Sequence, residues 1–325
     1  MNSRTKVQLS NSEIEKIFIS AGIENITDIQ PLGAGEYNAV YSAKSEGTEY
    51  ALKIAPKKET PVLAYERSML QTELYWYSRM KSIEGVSVPK IYYSDLSCKI
   101  TPCEFFIMEK IQGGHLNSMK LTDDEKFYAQ REKALFAARL HKMKNDRYGY
   151  VQNGLHDDWY QALRHMTLAL LNDCKLKGKR SRRGERLLRL IDKHSEILKK
   201  AECVMVNFDI WDSNCIISRK NEELEYTWID PERSFWGDPV ADFVCLGSTN
   251  PFKGKSEALE SYNSISDNPI KGTREEQIRW AAAMGYLALI METEKYYRYT
   301  PLHFGWWRNV SGSAWFYSQA FNALN

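Results

Sequence analysis

The sequence contains no apolar run long enough to cross a membrane. The longest, WAAAMGYLALIM at 280–291, is shorter than the about 20 residues of a spanning helix, so we expect a buried helix there. The first residues, MNSRTKVQLSNSEIEKIF, have no apolar stretch typical of a signal peptide. Six cysteines occur without paired spacing, which indicates reduced thiols. These absences predict a cytoplasmic protein without a membrane partner.

The chain also has no excess of charge of either sign. Lysine and arginine total 44, aspartate and glutamate total 42, and the formal net charge is +2. A dedicated nucleic-acid binder would need an excess of positive charge, so we expect no nucleic-acid partner. The 43% hydrophobic and 26% charged composition is typical of a globular enzyme. A length of 325 residues allows one large domain or two moderate ones, as a monomer or a homodimer.

Short strands are predicted in the first third of the chain. Ser10 and Glu13 form a capping-box pattern at the start of a helix at about 10–22. Another helix is predicted at about 62–81. The strand-like segments, rich in β-branched and aromatic residues, are ITDIQPLG, YNAVYSA, TEYALKI, VSVPKIYYSD and CEFFIMEKI.

Helical patterns dominate after QGGH at 112–115. The predicted helices cover about 122–144, 158–173, 184–200, 274–298 and 310–323. We therefore predict an α+β protein of two lobes, a small β-rich N-terminal lobe at 1–111 and a larger, mainly helical lobe at 112–325. A cleft between two such lobes is a usual place for a ligand.

Two features of the small lobe point to an anion. Gly33 and Gly35 lie between strand-like runs, where glycines let a backbone approach phosphates closely; an ordinary glycine hairpin is an equally good interpretation. Lys53 lies in the apolar strand YALKIA, on the same predicted face as Ala51. If it faces inward it needs an anion or a carboxylate, for which Glu73 is the first candidate and Glu66 the rival. If the sheet is covered on one side only, Lys53 is simply exposed.

A polar turn interrupts the helical half in VNFDIWDSNCII at 206–217. Asp209 could accept a proton from an alcohol, and Asn214 could offer its amide oxygen to a hard cation such as Mg²⁺. Asp230 directly follows the apolar strand YTWI, so its carboxylate emerges at a strand end. An aspartate at such a place often only caps a turn.

The order of these pieces resembles that of the protein-kinase-like fold. More narrowly, the chain resembles the aminoglycoside phosphotransferase family of small-molecule kinases. The catalytic stretch of that family, H-[GF]-D-L-W-x-x-N, corresponds to NFDIWDSN at 207–214. Its metal-binding stretch, I-D-x-E-x-x-x-x-G-D-P-x-x-D, corresponds to IDPERSFWGDPVAD at 229–242. The resemblance covers about residues 28–250.

The resemblance implies ATP and Mg²⁺ as cofactors and assigns catalytic roles. Asp209 would be the base or orienter of the substrate hydroxyl. Asn214 and Asp230 would hold Mg²⁺. Lys53 would contact the ATP phosphates and would be steadied by Glu73.

The same resemblance places further residues at the nucleotide or around the turn. Gly33, Gly35, Val40 and Ala51 would border the nucleotide. Backbone groups near Glu109 and Ile111 would bind the adenine. Asp238 and Asp242 would brace the catalytic turn rather than touch substrate.

One position departs from the family pattern. The usual histidine two residues before the catalytic aspartate is Asn207 here. An asparagine both donates and accepts hydrogen bonds, so it can replace a supporting histidine. If its geometry were wrong, Asp209 would be misplaced, and a shift of about 1 Å can cost roughly 100-fold in rate.

The aromatic segment at 303–321 contains the candidate residues for binding the acceptor. Trp306, Trp307 and Trp315 could line a pocket for a sugar or a quaternary ammonium; alternatively they pack the terminal helix onto the core. The family resemblance favours an aminoglycoside or a related amino sugar, with a role in antibiotic resistance. The alternatives are a metabolic alcohol of the choline, ethanolamine, homoserine or fructosamine type, and a silent nucleotide-binding protein.

Overall fold

The computed structural model describes residues 6–33, 37–221, 223–246, 250–252 and 254–325. It confirms the predicted α+β architecture of a β-sheet lobe followed by a helical lobe. Within these ranges no helix is both long and apolar enough to cross a membrane.

Within the described ranges, ten strands form three sheets. They are β1 Thr27–Leu32, β2 Ala39–Ser45, β3 Thr48–Ile54, β4 Ile91–Asp95, β5 Phe105–Glu109, β6 Gly114–His115, β7 Val204–Val206, β8 Cys215–Lys220, β9 Glu223–Trp228 and β10 Phe235–Gly237. The small lobe contains one antiparallel sheet in the order β1-β2-β3-β5-β4. In the larger lobe β6 pairs with β8 and β8 with β9, while β7 pairs with β10.

The part of the chain that the structure describes also contains ten α-helices. They are α1 Asn11–Ser20, α2 Met69–Met80, α3 Asp123–Leu140, α4 Trp159–Leu176, α5 Arg182–Lys193, α6 Ser195–Leu198, α7 Phe243–Leu246, α8 Glu257–Asn263, α9 Arg274–Arg298 and α10 Phe304–Leu324. The predicted capping box closes the start of α1, where Ser10 accepts from the Glu13 amide. The apolar run 280–291 lies within α9 and is almost entirely buried, as predicted.

Both faces of the small-lobe sheet are covered. Helix α1 packs Ile14 and Phe18 against Leu52 and Phe105 on one side. On the other side Tyr77 of α2 belongs to a cluster with Phe106. This double cover explains why Lys53, in the middle strand, is buried rather than exposed on a one-sided sheet.

The helix α2 also belongs to the core of the larger lobe. Its Trp76 stacks at a tilt on Trp236, with 5.1 Å between ring centroids. Asp230 donates its backbone N–H to the Tyr77 hydroxyl at 3.1 Å. Because one helix packs against both lobes, its residues hold a fixed position relative to the turn at 206–217.

A glycine makes the crossing between the lobes possible. Gly113 has φ +130°, and a Cβ there would lie 2.1 Å from the Ile217 carbonyl oxygen. No side chain fits at that distance, so the predicted Gly-Gly junction has a steric reason.

Three predicted helices differ from the structure. The segment 62–81 contains a short 3-10 turn and then α2, because Ser68 adopts a left-handed conformation with φ 54° between them. The segment 184–200 is broken at His194 into α5 and α6. The last helix starts at Phe304 instead of 310, because the His303 side chain caps it by accepting from the Gly305 amide.

Candidate active site

A buried carboxylate braces the turn that carries Asp209. Phe208 has a left-handed φ of 59°, which turns two successive amides inward. Asp242 accepts from the Asn207 amide at 3.1 Å and from the Phe208 amide at 2.6 Å. His141, directly after α3, lies 2.9 Å from the same carboxylate. Asp242 therefore braces the turn, as the resemblance implied.

Asp238 does not share this role. It accepts from the Val240 amide at 3.2 Å and lies 2.8 Å from the Arg279 side chain, so its contacts are with the segment after it and with α9. The expectation of a brace holds for Asp242, whose side chain touches the turn.

Asn207 supports Asp209 directly. Its side-chain oxygen accepts from the Asp209 amide at 3.0 Å, which is the local Asx-turn geometry available to asparagine. On the other side Asn214 donates its amide to the Asp209 carbonyl at 3.0 Å and to the carboxylate at 2.9 Å. The aspartate is thus held from both sides along the chain.

The environment of Asp209 alters its acidity. Burial raises the pKa of its carboxyl to about 6, the carboxylates of Glu232 and Asp230 act in the same direction, and the Arg233 guanidinium opposes them. Arg233 lies 3.8 Å from Asp209 and is itself paired with Glu294 of α9 at 2.8 Å. A pKa near 6 leaves Asp209 ionised at neutral pH while keeping it basic enough to accept a proton.

Lys53 stands among carboxylates from both lobes. Its Nζ lies 2.7 Å from Glu73 and 3.2 Å from Glu232, and it also contacts Asp230. The candidate partner Glu73 is therefore the one in contact. The rival, Glu66, pairs with Arg298 of α9 instead.

The charges of this cluster do not balance. Burial favours the neutral form of Lys53, but Asp230, Glu73 and Glu232 outweigh it and hold the pKa of the lysine well above its usual range. Burial and the two neighbouring carboxylates raise the pKa of Glu73 against the opposing effect of Lys53. Even with Glu73 protonated, the carboxylates of Asp230 and Glu232 outnumber the one ammonium, so the group keeps an excess of negative charge.

That excess fits a cation. Oxygens of Glu73, Asp230 and Glu232 lie within 4.8 Å of one another, and hard cations such as Mg²⁺ prefer oxygen ligands. Asn214 adjoins Asp230 through the backbone, because its carbonyl accepts from the Ile229 amide at 2.9 Å. Of the predicted metal pair, Asp230 belongs to this group of acids, whereas the Asn214 amide is donated to Asp209. Their roles at Mg²⁺ stay predictions.

Glu232 was missed as a functional residue by the sequence analysis. Besides Lys53 it contacts Asn38 of the small lobe, which donates to its carboxylate at 3.0 Å. Asp230 has a left-handed φ of 57° before the Pro231 turn, which directs both acids towards Lys53. The signal in the sequence was the second acid of IDPER, in a motif where only the first received a role.

The remaining predicted nucleotide contacts line the small-lobe sheet. Gly33 adopts φ 72° at the end of β1, whereas Gly35 lies outside the described residues. Val40 and Ala51 lie in β2 and β3, and Val40 is directly opposite Lys53.

At the lobe junction Glu109 ends β5 and donates its amide to the Lys90 carbonyl at 2.8 Å. Ile111 follows just beyond the strand. Their roles toward adenine stay predictions.

A cavity of about 420 Å³ adjoins the turn. It is bordered by Trp211, Asp212 and Ser213, which directly follow the Asp209 segment, and by residues of α3, α7 and α10. Trp211 packs against the core and also borders the cavity. Trp315 also lines the cavity.

The other two candidate tryptophans are placed elsewhere. Trp306 packs edge-on against Tyr296 of α9, with 5.5 Å between ring centroids. Trp307 is 59% exposed and donates its indole N–H to the Pro301 carbonyl at 2.9 Å. Both lie in the first turn of α10, two turns away from Trp315, so they do not border this cavity.

Comparison with known proteins agrees with these motifs. Residues 28–267 match the model of the phosphotransferase enzyme family, which is more than half of the chain. No curated protein matches the chain in sequence.

Solved structures resemble the chain over nearly its full length. A protein of Haemophilus somnus 129PT, provisionally named a fructosamine-3-kinase, is 19% identical with a TM-score of 0.65, over 96% of this chain and 97% of that one. A microcompartment-associated aminopropanol kinase is 15% identical with a TM-score of 0.63, over 96% and 97%. The streptomycin–ATP complex of APH(2'')-IIa is 17% identical with a TM-score of 0.59, over 95% and 97%.

At such identities the structural likeness shows the fold, while the family match rests on the sequence itself. The motifs around Asp209 and Asp230 lie inside the matched range. The chain therefore belongs to the phosphotransferase enzyme family and is a phosphotransferase.

Proposed function

We propose that the protein transfers the γ-phosphoryl group of ATP to a hydroxyl group of a small molecule. The observation that carries this proposal is the meeting of Lys53 with Glu73 and Asp230 close to the turn that holds Asp209. Phosphoryl transfer requires positioning and charge neutralisation more than covalent chemistry by the protein. This group of side chains supplies both.

Each side chain has a defined part in the reaction. Lys53 would bind phosphate oxygens of ATP, and Glu73 would hold the ammonium in place. Asp209 would accept the proton of the acceptor hydroxyl while that oxygen bonds to the γ-phosphorus. The bond from the γ-phosphorus to its bridging oxygen then breaks, and ADP leaves.

The divalent cation would be held by Asp230 and Asn214, with Glu232 beside them. A bound Mg²⁺ supplies neutralisation of the phosphate charge. Because Asp230 contacts Lys53, we expect this carboxylate to change partner when it holds Mg²⁺.

Asn207 supports the proposal of an active enzyme. Its side chain accepts the hydrogen bond from the Asp209 amide that keeps the turn closed. An asparagine in place of histidine is therefore compatible with a correctly positioned Asp209. If the protein only binds nucleotide, an activity assay will show no turnover with any acceptor.

The acceptor proposed from the family resemblance is an aminoglycoside or related amino sugar; the alternative is a metabolic alcohol. Structural neighbours include complexes or enzymes of both kinds. We place the reaction in the cytoplasm, since the six cysteines are free thiols and five of them are buried.

The test is formation of ADP from Mg·ATP with a panel of aminoglycosides, sugars and small alcohols. Asp209→Asn should lower turnover by about 100- to 10,000-fold, the usual contribution of a general base. Asp124→Asn, at an exposed residue in the first turn of α3, serves as the control and should retain activity. Equal turnover in Asp209→Asn and the wild type would refute the role of Asp209.

A further inference from the structure

The cavity beside the catalytic turn has aromatic walls from two distant parts of the chain. Trp211 comes from the turn itself, whereas Trp315 and Phe316 come from α10. The Trp315 and Phe316 rings meet edge to face, with 4.9 Å between centroids, and Trp315 remains 42% exposed. An apolar ring surface left open at a cavity is suited to contact with a ligand.

The charges on the cavity wall are balanced. The Lys133 ammonium lies 2.6 Å from the Asp212 carboxylate, and both residues line the cavity. The other polar side chains of the lining, Asn117, Gln130 and Ser213, are uncharged. The described lining therefore offers no carboxylate without a cationic partner.

This balance argues against cationic acceptors. A polycation loses hydration on entering a partly closed cavity and needs carboxylates in return. Aromatic faces attract a quaternary ammonium, but the one carboxylate of the described lining, Asp212, is already neutralised by Lys133. The cavity wall therefore does not complement the charge of a polycation or of a quaternary ammonium compound.

An uncharged polyhydroxy compound matches the wall better. Each hydroxyl group both donates and accepts hydrogen bonds. The wall offers an acceptor in the partly exposed Asp212, and the amides of Asn117 and Gln130, which do both. The rings of Trp211 and Trp315 offer apolar faces to a sugar ring. A cavity of about 420 Å³ lies in the range typical of small-molecule sites, about 300–1,000 Å³.

We infer that this cavity binds an uncharged sugar-type acceptor whose ring lies against Trp315 and Trp211. The inference rests on the proposed phosphotransfer and names the substrate class for the same site. It replaces the polycationic aminoglycoside, expected from family resemblance, with a neutral polyol.

Binding and turnover are measured separately. Saturation-transfer NMR records binding of methyl β-glucoside, methyl α-mannoside, methyl β-riboside, kanamycin and choline to the whole protein, and ADP formation with Mg·ATP records turnover of the same compounds. The expected result is that at least one neutral glycoside binds and is phosphorylated, with a kcat/KM above those of kanamycin and choline.

Two tryptophans of α10 form a matched pair of variants. Trp315→Ala should raise the KM or the dissociation constant of the neutral acceptor by about tenfold and leave the KM of ATP unchanged. Trp307→Ala removes an exposed tryptophan from the same helix away from the cavity and should change neither. Circular dichroism establishes that both variants are folded.

The outcomes separate the two proposals. Binding or turnover confined to kanamycin or choline overturns the inference and leaves the phosphotransfer standing. Failure of every neutral glycoside to bind also overturns it. Glycosides that bind to the wild type and lose affinity in Trp315→Ala, with no acceptor phosphorylated, support the inference and count against the proposed function.

Discussion

At the nucleotide end of the site three carboxylates surround one lysine, whereas in the acceptor cavity one carboxylate faces one lysine. Lys53 contacts Glu73, Asp230 and Glu232, and Lys133 contacts Asp212. The first arrangement carries an excess of negative charge that suits a divalent cation with its phosphates. The second carries none. Under the proposed function, charge would select the nucleotide, whereas shape and hydrogen bonds would select the acceptor.

Removing the lysine at the nucleotide end should have the largest effect. In Lys53→Met the buried Glu73 loses its cationic partner and faces the half-buried Asp230 and Glu232, and we expect the free energy of unfolding at pH 8 to fall by about 3–5 kcal/mol. Urea unfolding followed by tryptophan fluorescence measures this change. Lys110→Met removes a lysine from a partly exposed pair with Glu49 and should have little effect. Equal stability of the two variants would contradict the buried cluster.

Asp209 makes the reaction sensitive to pH. A carboxyl with a pKa of about 6 is ionised above that pH and protonated below it, so the base is lost as the pH falls. We expect kcat/KM, which reports the free enzyme, to fall about tenfold per pH unit below about 6. A profile that is flat from pH 7 to pH 5 would show that Asp209 is not the base.

Reducing the charge excess should weaken the metal. Glu232→Gln removes one of the three clustered carboxylates, and the Mg²⁺ concentration for half-maximal activity should rise by about tenfold, as for residues that support a metal site. Glu223→Gln, at an exposed position of β9, provides the control. An unchanged Mg²⁺ requirement in Glu232→Gln would mean that Glu232 serves only the Lys53 and Asn38 contacts.

Adding charge to the acceptor cavity should have the smallest effect. Gln130→Glu adds a second carboxylate to a wall that holds one lysine. Its pairing with a cationic acceptor is worth about 1 kcal/mol for a partly exposed pair, or roughly fivefold in affinity. Kanamycin binding should strengthen by that factor, while a neutral glycoside should gain nothing. Steady-state kinetics or NMR titration compares the two. Equal gains for both acceptors would show that cavity charge does not govern selection.

Much of the nucleotide end could be predicted because its signals are local. Lys53 in an apolar strand, Asp209 five residues before Asn214, and Asp230 at a strand end are each visible in a short stretch of sequence. Their partners were harder to predict. Glu232 meets Asn38 across 194 positions of the chain, and Arg233 meets Glu294 across 61. Contacts of that separation depend on how α2 and α9 pack, which no local pattern reports.

The acceptor end could be predicted only in outline. The aromatic segment at 303–321 was visible, but which tryptophan faces a cavity depends on how α10 lies against α9 and the turn. Trp315 borders the cavity, whereas Trp306 packs on Tyr296. The break at His194 and the left-handed Ser68 likewise follow from backbone geometry that apolar periodicity does not show.

The most direct test of this separation of nucleotide and acceptor binding compares one variant from each end of the site. The KM of each substrate is measured in both variants. With the best acceptor of the panel, the KM of ATP and the KM of the acceptor are measured in wild type, Lys53→Met and Trp315→Ala. The account predicts that Lys53→Met raises the KM of ATP alone and that Trp315→Ala raises the KM of the acceptor alone. If each variant raised both values equally, the two ends would not be separate and the account would be wrong.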